Sequence, residues 1–597
     1  MEFISHNFIP LLFAGLLLFL LTGFPVAFSL AATGLTFGLI GMQAGLFPPT
    51  LFQALPLRVF GIMQNETLLA VPFFTFMGIT LERSGMAEDL LETVGQVFGQ
   101  LRGGLALATI FVGALLAATT GVMAAAVISM GLISLPIMLR CGYNRSIATG
   151  VITASGTLAQ AIPPSLVLIV MADQLGRSVG DMYAGAIVPG LMLVGLYALF
   201  IVVLAVYKPS WVPALPQDSL TYKEASGASG RKSLLAIMTI ATTAAFAWSF
   251  LHEGVINPIV GREGKAPMDE VLILSMTVAA FVALAIALAN RWMGLRLLSK
   301  LSERVVFVLL PPLVLIFLVL GTIFLGIATP TEGGALGALG ALIMAVGRRR
   351  LDFSLLKQAL DNTAKLSCFV MFILIGATVF SFTFNAADGH LWVERLFNRL
   401  PGGQLGFLIA VNLLVFVLGC FIDFFEIAFI VVPLLVVVAE KMGIDLVWFG
   451  VMIAMNLQSS FLTPPFGFAL FYLRSVAPRD DYNDRVTNVR IKAVTTAQIY
   501  KGSIIFIILQ LVMLAAVIAF PNLVTDRLDK APAVSLENVR LEAETGDYGM
   551  KDNEDPMNAF MPPQPEDPAA QGAGDTAKEE DPMEAVRRSL EADAKKK

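Results

Sequence analysis

Two proline pairs have the residue types and the spacing that could do chemistry inside an apolar segment. Pro163-Pro164 and Pro464-Pro465 lie 301 positions apart. Proline has no backbone N–H, so each pair deprives carbonyl groups about one turn upstream of their usual helical donors. In hydrocarbon an unsatisfied carbonyl costs several kcal/mol, so such a break persists only where protein, water or a ligand satisfies it.

Oxygen-bearing side chains precede both pairs. The first pair follows Ser155-Gly156-Thr157 and Gln160, and the second follows Asn456, Ser459-Ser460 and Thr463. Carbonyls, hydroxyls and an amide suit a hard monovalent cation such as sodium, while the N-terminus of a half-helix favours an anionic group. The alternative is a kinked helix that its neighbours hold without any ligand.

The elements that position these residues form a repeated unit. Gly142 and Gly443 each precede their proline pair by 21 positions, and the 301-residue offset also takes Thr120 to Phe421. These last two lie in apolar stretches, 104–140 and 405–442, that are too long for one membrane helix and have polar residues at the middle. We therefore predict two re-entrant hairpins, each followed by a helix that a proline pair breaks.

Composition indicates an all-α polytopic membrane protein. Of 597 residues, 56% are hydrophobic and only 14% are charged, and the mean hydropathy is +0.77. Soluble domains have roughly 25% charged residues. The net charge of −5 gives no support for nucleic-acid binding. The predicted spans are 8–24, 26–42, 66–82, 146–173, 183–207, 233–251, 271–290, 305–327, 333–347, 366–384, 446–473 and 500–521.

Basic residues in short loops set the predicted orientation. Arg140, Arg231-Lys232, Arg348-Arg349-Arg350 and Arg474 fall on one side of the membrane if both long stretches are hairpins. Because Lys and Arg gather in cytoplasmic loops, that side is predicted to be the cytoplasm and both termini are predicted to be external. The two broken helices then run in opposite directions. An inverted repeat with interrupted helices is typical of secondary transporters.

At these residues the chain resembles the DctM-like large membrane subunit of the tripartite ATP-independent periplasmic (TRAP) transporters, over residues 8–520. The motifs that carry the resemblance are Ala-Val-Pro-Phe-Phe-Thr-Phe-Met-Gly (70–78), Arg83-Ser84-Gly85, Ser155-Gly156-Thr157…Pro163-Pro164-Ser165, Gly326-Ile327-Ala328-Thr329-Pro330-Thr331-Glu332 and Phe449-Gly450…Asn456…Thr463-Pro464-Pro465. The resemblance implies a bacterial inner-membrane importer that couples a sodium gradient to uptake of an organic acid by an elevator motion. Its implied partners are a small four-helix membrane subunit and a periplasmic substrate-binding protein.

The resemblance also implies where ions and substrate bind. Sodium sites are expected where each hairpin tip meets its broken helix, at Thr119, Thr120, Ser155, Gly156 and Thr157, and at Asp423, Asn456, Ser459, Ser460 and Thr463. The substrate would lie between the two tips, near Thr120, Gln160, Pro163, Ser165, Asp423, Glu426 and Pro464.

The chain divides into seven predicted segments. These are scaffold helices (1–103), the first hairpin and broken helix (104–182), a scaffold helix with a two-span insertion (183–304), second-repeat scaffold helices (305–404), the second hairpin and broken helix (405–475), a last loop and helix (476–521) and an acidic, Pro-rich disordered tail (522–597).

Several charged residues have two interpretations. Thr329 and Glu332 fit a helix capping box better than ion coupling. Asp423 and Glu426 are an intramembrane acidic pair, which favours coupling over a plain water-exposed tip. Glu82 and Arg83 could reach a carboxylate substrate, but an interfacial pair is the simpler reading. The three histidines, at positions 6, 252 and 390, are predicted to be solvated.

Two rival functions follow from the same residues. The chain has no Walker A motif, so ATP drive is not encoded. A membrane enzyme would need a convergent catalytic or metal set, and motifs of that kind are missing from the loops. A stand-alone sodium- or proton-coupled anion carrier without a binding protein shares the inverted architecture and stays open.

Overall fold

The computed structural model describes residues 6–121, 123–215, 230–262, 264–294, 298–399, 401–484, 488–526 and 528. The first half contains helices α1 (Phe8–Leu21), α2 (Val26–Gln43), α3 (Leu55–Met63), α4 (Ala70–Arg83), α5 (Met86–Phe98), α6 (Gly104–Thr120), α7 (Met123–Arg140), α8 (Arg145–Thr157), α9 (Leu166–Leu175), α10 (Val179–Tyr207), α11 (Arg231–Val260) and α12 (Met268–Trp292).

The second half is also helical. It contains α13 (Lys300–Phe324), α14 (Pro330–Gly347), α15 (Phe353–Ala386), α16 (Gly389–Asn398), α17 (Gly403–Gly419), α18 (Phe424–Glu426), α19 (Val432–Lys441), α20 (Leu446–Phe461), α21 (Phe468–Val476), α22 (Thr496–Ala519) and α23 (Asn522–Thr525). Two short strands, β1 (Tyr482–Asn483) and β2 (Arg490–Ile491), pair antiparallel between α21 and α22. In the described part, eight helices are long and apolar enough to cross a membrane.

The chain has a hinge at Gly23-Phe24-Pro25, between the predicted spans 8–24 and 26–42. Helix α1 ends before Gly23, whose φ of +83° lies in the left-handed region that favours glycine. Pro25 then stands immediately before the first residue of α2. Two helices therefore form where one uninterrupted apolar run would have given a single long helix.

The 301-residue repeat is visible in the backbone. Gly142 and Gly443 both take positive φ, +80° and +71°, after α7 and α19. Two residues later the side chains of Asn144 and Asp445 cap the N-termini of α8 and α20. Both proline pairs contain a cis X-Pro bond. The same local chemistry therefore builds the same turn, cap and break in both halves.

Both hairpins form as helix–turn–helix units. The first joins α6 to α7 around Gly121, which has a φ of +58°. The second joins α17 to a return arm that is interrupted between α18 and α19 by a π-helical turn, Ile427–Val431. The hairpins are thus confirmed, and their re-entrant depth in the bilayer stays a prediction.

The two repeats interlock. Helix α21, which follows the second break, packs against α7 and α8 of the first repeat, while α9, which follows the first break, packs against α19 and α20. Outside this group, α14 packs along α4 and α15 packs along α2. The structure therefore groups the hairpins and broken helices together and pairs the scaffold helices of the two halves.

Glycines hold α22 against the first broken helix. A Cβ on Gly150 of α8 would lie 2.6 Å from the carbonyl oxygen of Gly502 in α22. A Cβ on Gly502 would meet the carbonyl oxygen of Ser146 even more closely. The two backbones touch directly at this crossing, so α22 fixes the position of α8.

The insertion 233–251 and 271–290 forms α11 and α12, which pack on each other and, through α12, on α13. The prediction for His252 is wrong. Its ring is fully buried, with Nε2 2.8 Å from Oε1 of Glu270, whose other oxygen lies 2.8 Å from Nη1 of Arg262. A buried ring that pairs with a buried carboxylate costs less than either group alone, which is consistent with the burial of this histidine, although its Nδ1 has no partner among the described residues.

Some elements were missed from sequence. Helices α5 and α16 are short and amphipathic, each directly before a hairpin. In the loop after α21, Asp481 accepts a hydrogen bond from the backbone N–H of Ala493 at 2.8 Å, which lowers the pKa of that carboxyl. The predicted disordered tail lies, beyond α23 and its first few following residues, outside the described residues.

Candidate functional site

The first break is buried and has oxygen atoms without partners. Helix α8 ends at Thr157, a short 3₁₀ turn covers Leu158–Gln160, and α9 begins only after Ser165. Oγ of Ser155 and Oε1 of Gln160 are buried without a hydrogen-bond partner. Such atoms are costly in an apolar interior, which makes this break a candidate site for a ligand.

The remaining polar groups at this break are occupied. Oγ of Ser165 donates to the carbonyl of Gln160 at 2.9 Å, which replaces the donor that Pro164 lacks. Oγ1 of Thr157 donates to the carbonyl of Ala154 and accepts from Nε2 of Gln510 in α22 at 3.3 Å. Thr157 therefore has its oxygen partly engaged, whereas the oxygen of Ser155 is free to accept a cation.

The tip of the first hairpin lies against this break. A Cβ on Gly121 would be 3.2 Å from Cγ of Leu166, the first residue of α9. Gly156 touches Val127 of α7 so closely that a Cβ there would clash. Thr119 and Thr120 are the last two residues of α6, just before the tip. The structure thus brings the hairpin tip and the break together as predicted, while the side chains of both threonines lie outside the described atoms.

The second break has hydroxyls that donate backward along the helix. Oγ of Ser459 donates to the carbonyl of Asn456 at 2.6 Å, and Oγ1 of Thr463 donates to the carbonyl of Ser459 at 2.8 Å. Ser460 also donates to Asn456, at 3.3 Å. A hydroxyl that donates its hydrogen to a carbonyl keeps lone pairs on its oxygen, and these lone pairs can bind a cation.

An amide pair ties the second break to its hairpin. Nδ2 of Asn456 donates to the carbonyl of Asn412 at 2.7 Å and to Oδ1 of Asn412 at 3.0 Å. Asn412 lies in α17, the first arm of the hairpin. Sequence reasoning missed Asn412 and Gln510, although a lone amide within an otherwise apolar helix is the signal that marks both of them.

The acidic pair at the second tip forms a capping box. Oδ1 of Asp423 accepts from the N–H of Phe424 at 2.7 Å, and Oε2 of Glu426 accepts from the N–H of Asp423 at 3.2 Å. The sequence interpretation foresaw this arrangement only for Thr329 and Glu332, where it is confirmed. The capping role does not consume the charges, because each carboxylate keeps a second oxygen.

Asp423 and Glu426 face a cavity of about 500 Å³ between the hairpin tips and the scaffold. Met123, the first residue of α7, brings the other hairpin to the same cavity, and Phe24 at the α1–α2 hinge brings the scaffold. No hydrogen bond joins Asp423 to Asn456 or to the break hydroxyls in the described part of the chain. The predicted grouping of Asp423 with Asn456 in one ion site therefore remains a prediction, whereas Asp423 and Glu426 share one cavity.

The two breaks differ in exposure. Pro163 and Ser165 are buried, whereas Pro464 is half-buried and Pro465 is exposed. Pro465 lines a cavity of about 460 Å³ with Phe421 and Tyr472. One half of the repeated site is therefore closed and the other is open.

The donor set fits a monovalent cation better than a transition metal. In the described ranges, no three His, Cys, Asp or Glu side chains come together as metal ligands. The candidate ligand atoms at the two breaks are neutral oxygens: the Ser155 hydroxyl and the Gln160 amide, which have no partner, and the hydroxyls near Asn456, which donate to carbonyls but keep lone pairs. Neutral oxygens at a broken helix are the ligands that unwound transporter helices offer to sodium.

Comparison with known proteins places these features in a family. The sequence pattern of the tripartite ATP-independent periplasmic transporter, DctM component, matches residues 13–523. The chain is 27% identical to a C4-dicarboxylate TRAP transporter large permease protein of Pseudomonas aeruginosa, over 72% of this chain and 82% of that protein. It is 26% identical to an isethionate TRAP transporter permease protein of Oleidesulfovibrio alaskensis, over 79% of this chain and 60% of that protein. It is also 26% identical to a sialic acid TRAP transporter large permease protein of Vibrio cholerae, over 76% of this chain and 87% of that protein.

Proposed function

Because the chain belongs to the DctM family of TRAP transporter large membrane subunits, and so is a transporter rather than an enzyme, we propose that it couples a sodium gradient to the import of an organic acid. Members of this family work with a small membrane subunit and a periplasmic binding protein. Our proposal adds the coupling ion, the mechanism and the residues. The observation that carries it is the buried oxygen of Ser155, which has no hydrogen-bond partner and lies at the first break beside a hairpin tip.

Sodium coupling is supported by the kind of atom that is left unpaired. An orphaned hydroxyl and amide oxygen in a membrane interior lose hydrogen bonds to water and gain nothing in return. A sodium ion bound at the break would satisfy the Ser155 hydroxyl, and a substrate group would satisfy the Gln160 amide. The ligands we propose for the first site are Thr119, Thr120, Ser155, Gly156 and Thr157, and those for the second are Asp423, Asn456, Ser459, Ser460 and Thr463.

The substrate site we propose lies between the hairpin tips. The cavity that Met123 and Asp423 share is the place where both tips and the scaffold meet. Of the substrate residues that we propose, Asp423 and Glu426 line this cavity, whereas the others, Thr120, Gln160, Pro163, Ser165 and Pro464, belong to the neighbouring tip and breaks and do not line it in this structure. A bound cation next to the acidic pair would offset its charge and let an anion approach, which would couple ion and substrate binding.

An elevator motion is supported by the interlocked repeats. Since α9 and α21 each pack on the opposite repeat, hairpins and broken helices are suited to move as one body against the scaffold helices. The open second break and the closed first break fit one end state of such a movement. We further propose that the small subunit has four helices and that both termini face the periplasm.

The direct test is uptake into proteoliposomes that contain this chain and its small subunit. The labelled probes are succinate, isethionate and sialic acid, which follow the names of the relatives. Each is measured with and without a sodium gradient and with and without the external binding protein. We expect uptake of at least one acid to require both.

Two results would contradict the proposal. Uptake that a proton gradient drives without sodium would remove the ion assignment. Sodium-driven uptake that does not need the binding protein would favour the rival, a stand-alone anion carrier.

A further inference from the structure

The acidic cavity between the hairpin tips has the wrong charge to hold an organic anion by itself. Its described lining contains Asp423 and Glu426 but no lysine, arginine or histidine. A carboxylate substrate next to two carboxylates is repelled unless a cation intervenes. A bound sodium ion would meet this need while it is present, and once the ion leaves, a positive side chain elsewhere on the path would have to hold the anion.

A second cavity continues from the first along the same helices. It has a volume of about 310 Å³ and is lined by Thr75, Ile79, Glu82, Arg83, Ala124, Ala125, Ile128, Asn362 and Leu366. In α7, Met123 lines the acidic cavity and the next two residues line this one. In α15, Phe369 lines the acidic cavity, and Leu366, one turn earlier, lines this one. The two cavities are neighbours.

Arg83 lines the second cavity, and no acidic side chain among the described residues pairs with its charge. Its side chain is exposed, and it forms no ion pair with any residue that the structure describes. The adjacent Glu82 also lines this cavity, and its Oε1 accepts a hydrogen bond from Oγ of Ser129 in α7 at 2.7 Å, but it forms no ion pair with Arg83 among the described residues. An arginine guanidinium presents paired N–H donors that match a carboxylate.

A buried hydroxyl supplies a second donor. Thr75 is only 1% exposed, and its Oγ1 has no hydrogen-bond partner. Thr75, Ile79 and Arg83 follow one another at four-residue spacing on α4, so they lie on one face of that helix. Asn362, half-buried on α15, adds an amide to the opposite wall.

We propose that this cavity is the release site of the transported acid, where Arg83, Thr75 and Asn362 bind the substrate carboxylate after it leaves the hairpin tips. This inference rests on the proposed function. Arg83 lies on the scaffold and does not travel with the hairpins. It lies on the side that the basic loops mark as cytoplasmic, next to the Arg348-Arg349-Arg350 loop, since Arg350 touches Gly85. A volume near the lower end of the usual ligand range suits a small acid.

The test measures substrate affinity separately at the two faces of the membrane. Proteoliposomes loaded with increasing unlabelled acid take up the labelled acid by exchange, and the external binding protein selects molecules in one orientation. We expect Arg83→Gln to raise the half-saturating internal concentration about 10-fold or more, the loss of one charge-assisted contact. Arg83→Lys should give a half-saturating internal concentration between those of the original chain and of Arg83→Gln. The sodium concentration for half-maximal uptake should not change in either variant.

Arg102→Gln is the matched control, because Arg102 is also an exposed arginine but lines neither cavity. An unchanged internal half-saturation in Arg83→Gln, with sodium-dependent uptake intact, would overturn this inference and leave the proposed function standing. Equal shifts at both faces would also contradict a release site.

A second measurement tests the cavity without transport. Thermal unfolding of the purified chain in sodium-free buffer is followed while succinate, isethionate or sialic acid is added. We expect one acid to raise the Tm of the original chain and of Arg102→Gln but not of Arg83→Gln. If none of the acids stabilises the original chain, the anion site is contradicted independently of any failure in sodium-driven uptake.

Discussion

At the scale of single residues, Ser155 and Thr153 distinguish a hydroxyl that is available to an ion from one that is bonded within its own helix. Its Oγ is buried without a partner, while Oγ1 of Thr153, two residues earlier on α8, donates to the carbonyl of Thr149 at 3.0 Å. Both are small, buried hydroxyl residues in the same helix. Their difference is that only Ser155 keeps an oxygen without any protein partner.

We expect Ser155→Ala to raise the sodium concentration for half-maximal uptake about 10-fold, which corresponds to the loss of one ligand worth about 1.4 kcal/mol. Its Tm should not fall, because the removed group had no bond to lose. Thr153→Val is the control and should leave sodium activation unchanged. Sodium titration of uptake decides the matter: equal activation curves for Ser155→Ala and the original chain would exclude Ser155 as a ligand.

Asp423 and Glu426 combine a cap with two charges, and substitutions can separate these roles. We expect Asp423→Asn and Glu426→Gln to keep the Tm, because an amide oxygen still accepts the capping hydrogen bond. Uptake should fall at least 10-fold if the charges take part in coupling. Asp423→Ala should also lose about 1 kcal/mol of stability with the cap.

The exposed capping box of α14 provides the control for this prediction. Glu332 caps back to the N–H of Thr329 at 2.8 Å, as Glu426 does to Asp423. Glu332→Gln should therefore change neither Tm nor uptake. Normal uptake by Asp423→Asn and by Glu426→Gln would show that the acidic pair only caps the helix and takes no part in coupling.

At the scale of elements, the contact between α8 and α22 positions the first broken helix. The backbones meet at Gly150 and Gly502 without room for a Cβ. The same helix α22 brings Gln510 to Thr157. A shift of α22 would therefore disturb the first break even though no residue of the break itself is changed.

We expect Gly502→Ala to lower the Tm by several degrees and to weaken sodium activation together, because the added methyl pushes α22 from α8. Gly195→Ala is the matched control, since a Cβ at Gly195 in α10 meets nothing within 4 Å. It should be neutral or slightly stabilising, as expected for glycine-to-alanine changes inside a helix. Thermal unfolding in detergent and sodium titration measure both effects, and a Gly502→Ala protein with unchanged Tm would contradict the close packing.

At the scale of the whole molecule, the hydrogen bond from Ser129 to Glu82 joins the first hairpin to the scaffold helix α4. An elevator motion must break this contact. In a background without the three native cysteines, Glu82→Cys and Ser129→Cys joined by a bifunctional thiol reagent should abolish uptake while the protein stays folded.

A pair within the moving body serves as the control for this cross-link. A Cβ at Gly131 of α7 would lie 2.7 Å from Cγ2 of Val476 in α21. Cysteines at these two positions, joined by the same reagent, should leave uptake largely intact, because both elements belong to the proposed transport body. Uptake that survives the cross-link between α4 and α7 would contradict the elevator mechanism.

The sequence by itself determined the apolar elements of this protein, although not the short amphipathic helices α5 and α16. The apolar spans, the hinge at Gly23-Phe24-Pro25, the hairpins, the 301-residue repeat and the proline breaks follow from local chemistry: hydrophobic length, missing N–H groups, positive-φ glycines and caps. These features act within a few residues of the chain, so a linear pattern is sufficient to predict them.

Only the tertiary structure decided which polar groups meet. The bonds from Gln510 to Thr157, from Asn456 to Asn412 and from Ser129 to Glu82 join residues that are 353, 44 and 47 positions apart. The burial of His252 with Glu270 and the two neighbouring cavities likewise depend on how helices pack. In a chain that is 56% hydrophobic, many helix faces are equally apolar, so the pattern alone does not say which face meets which neighbour.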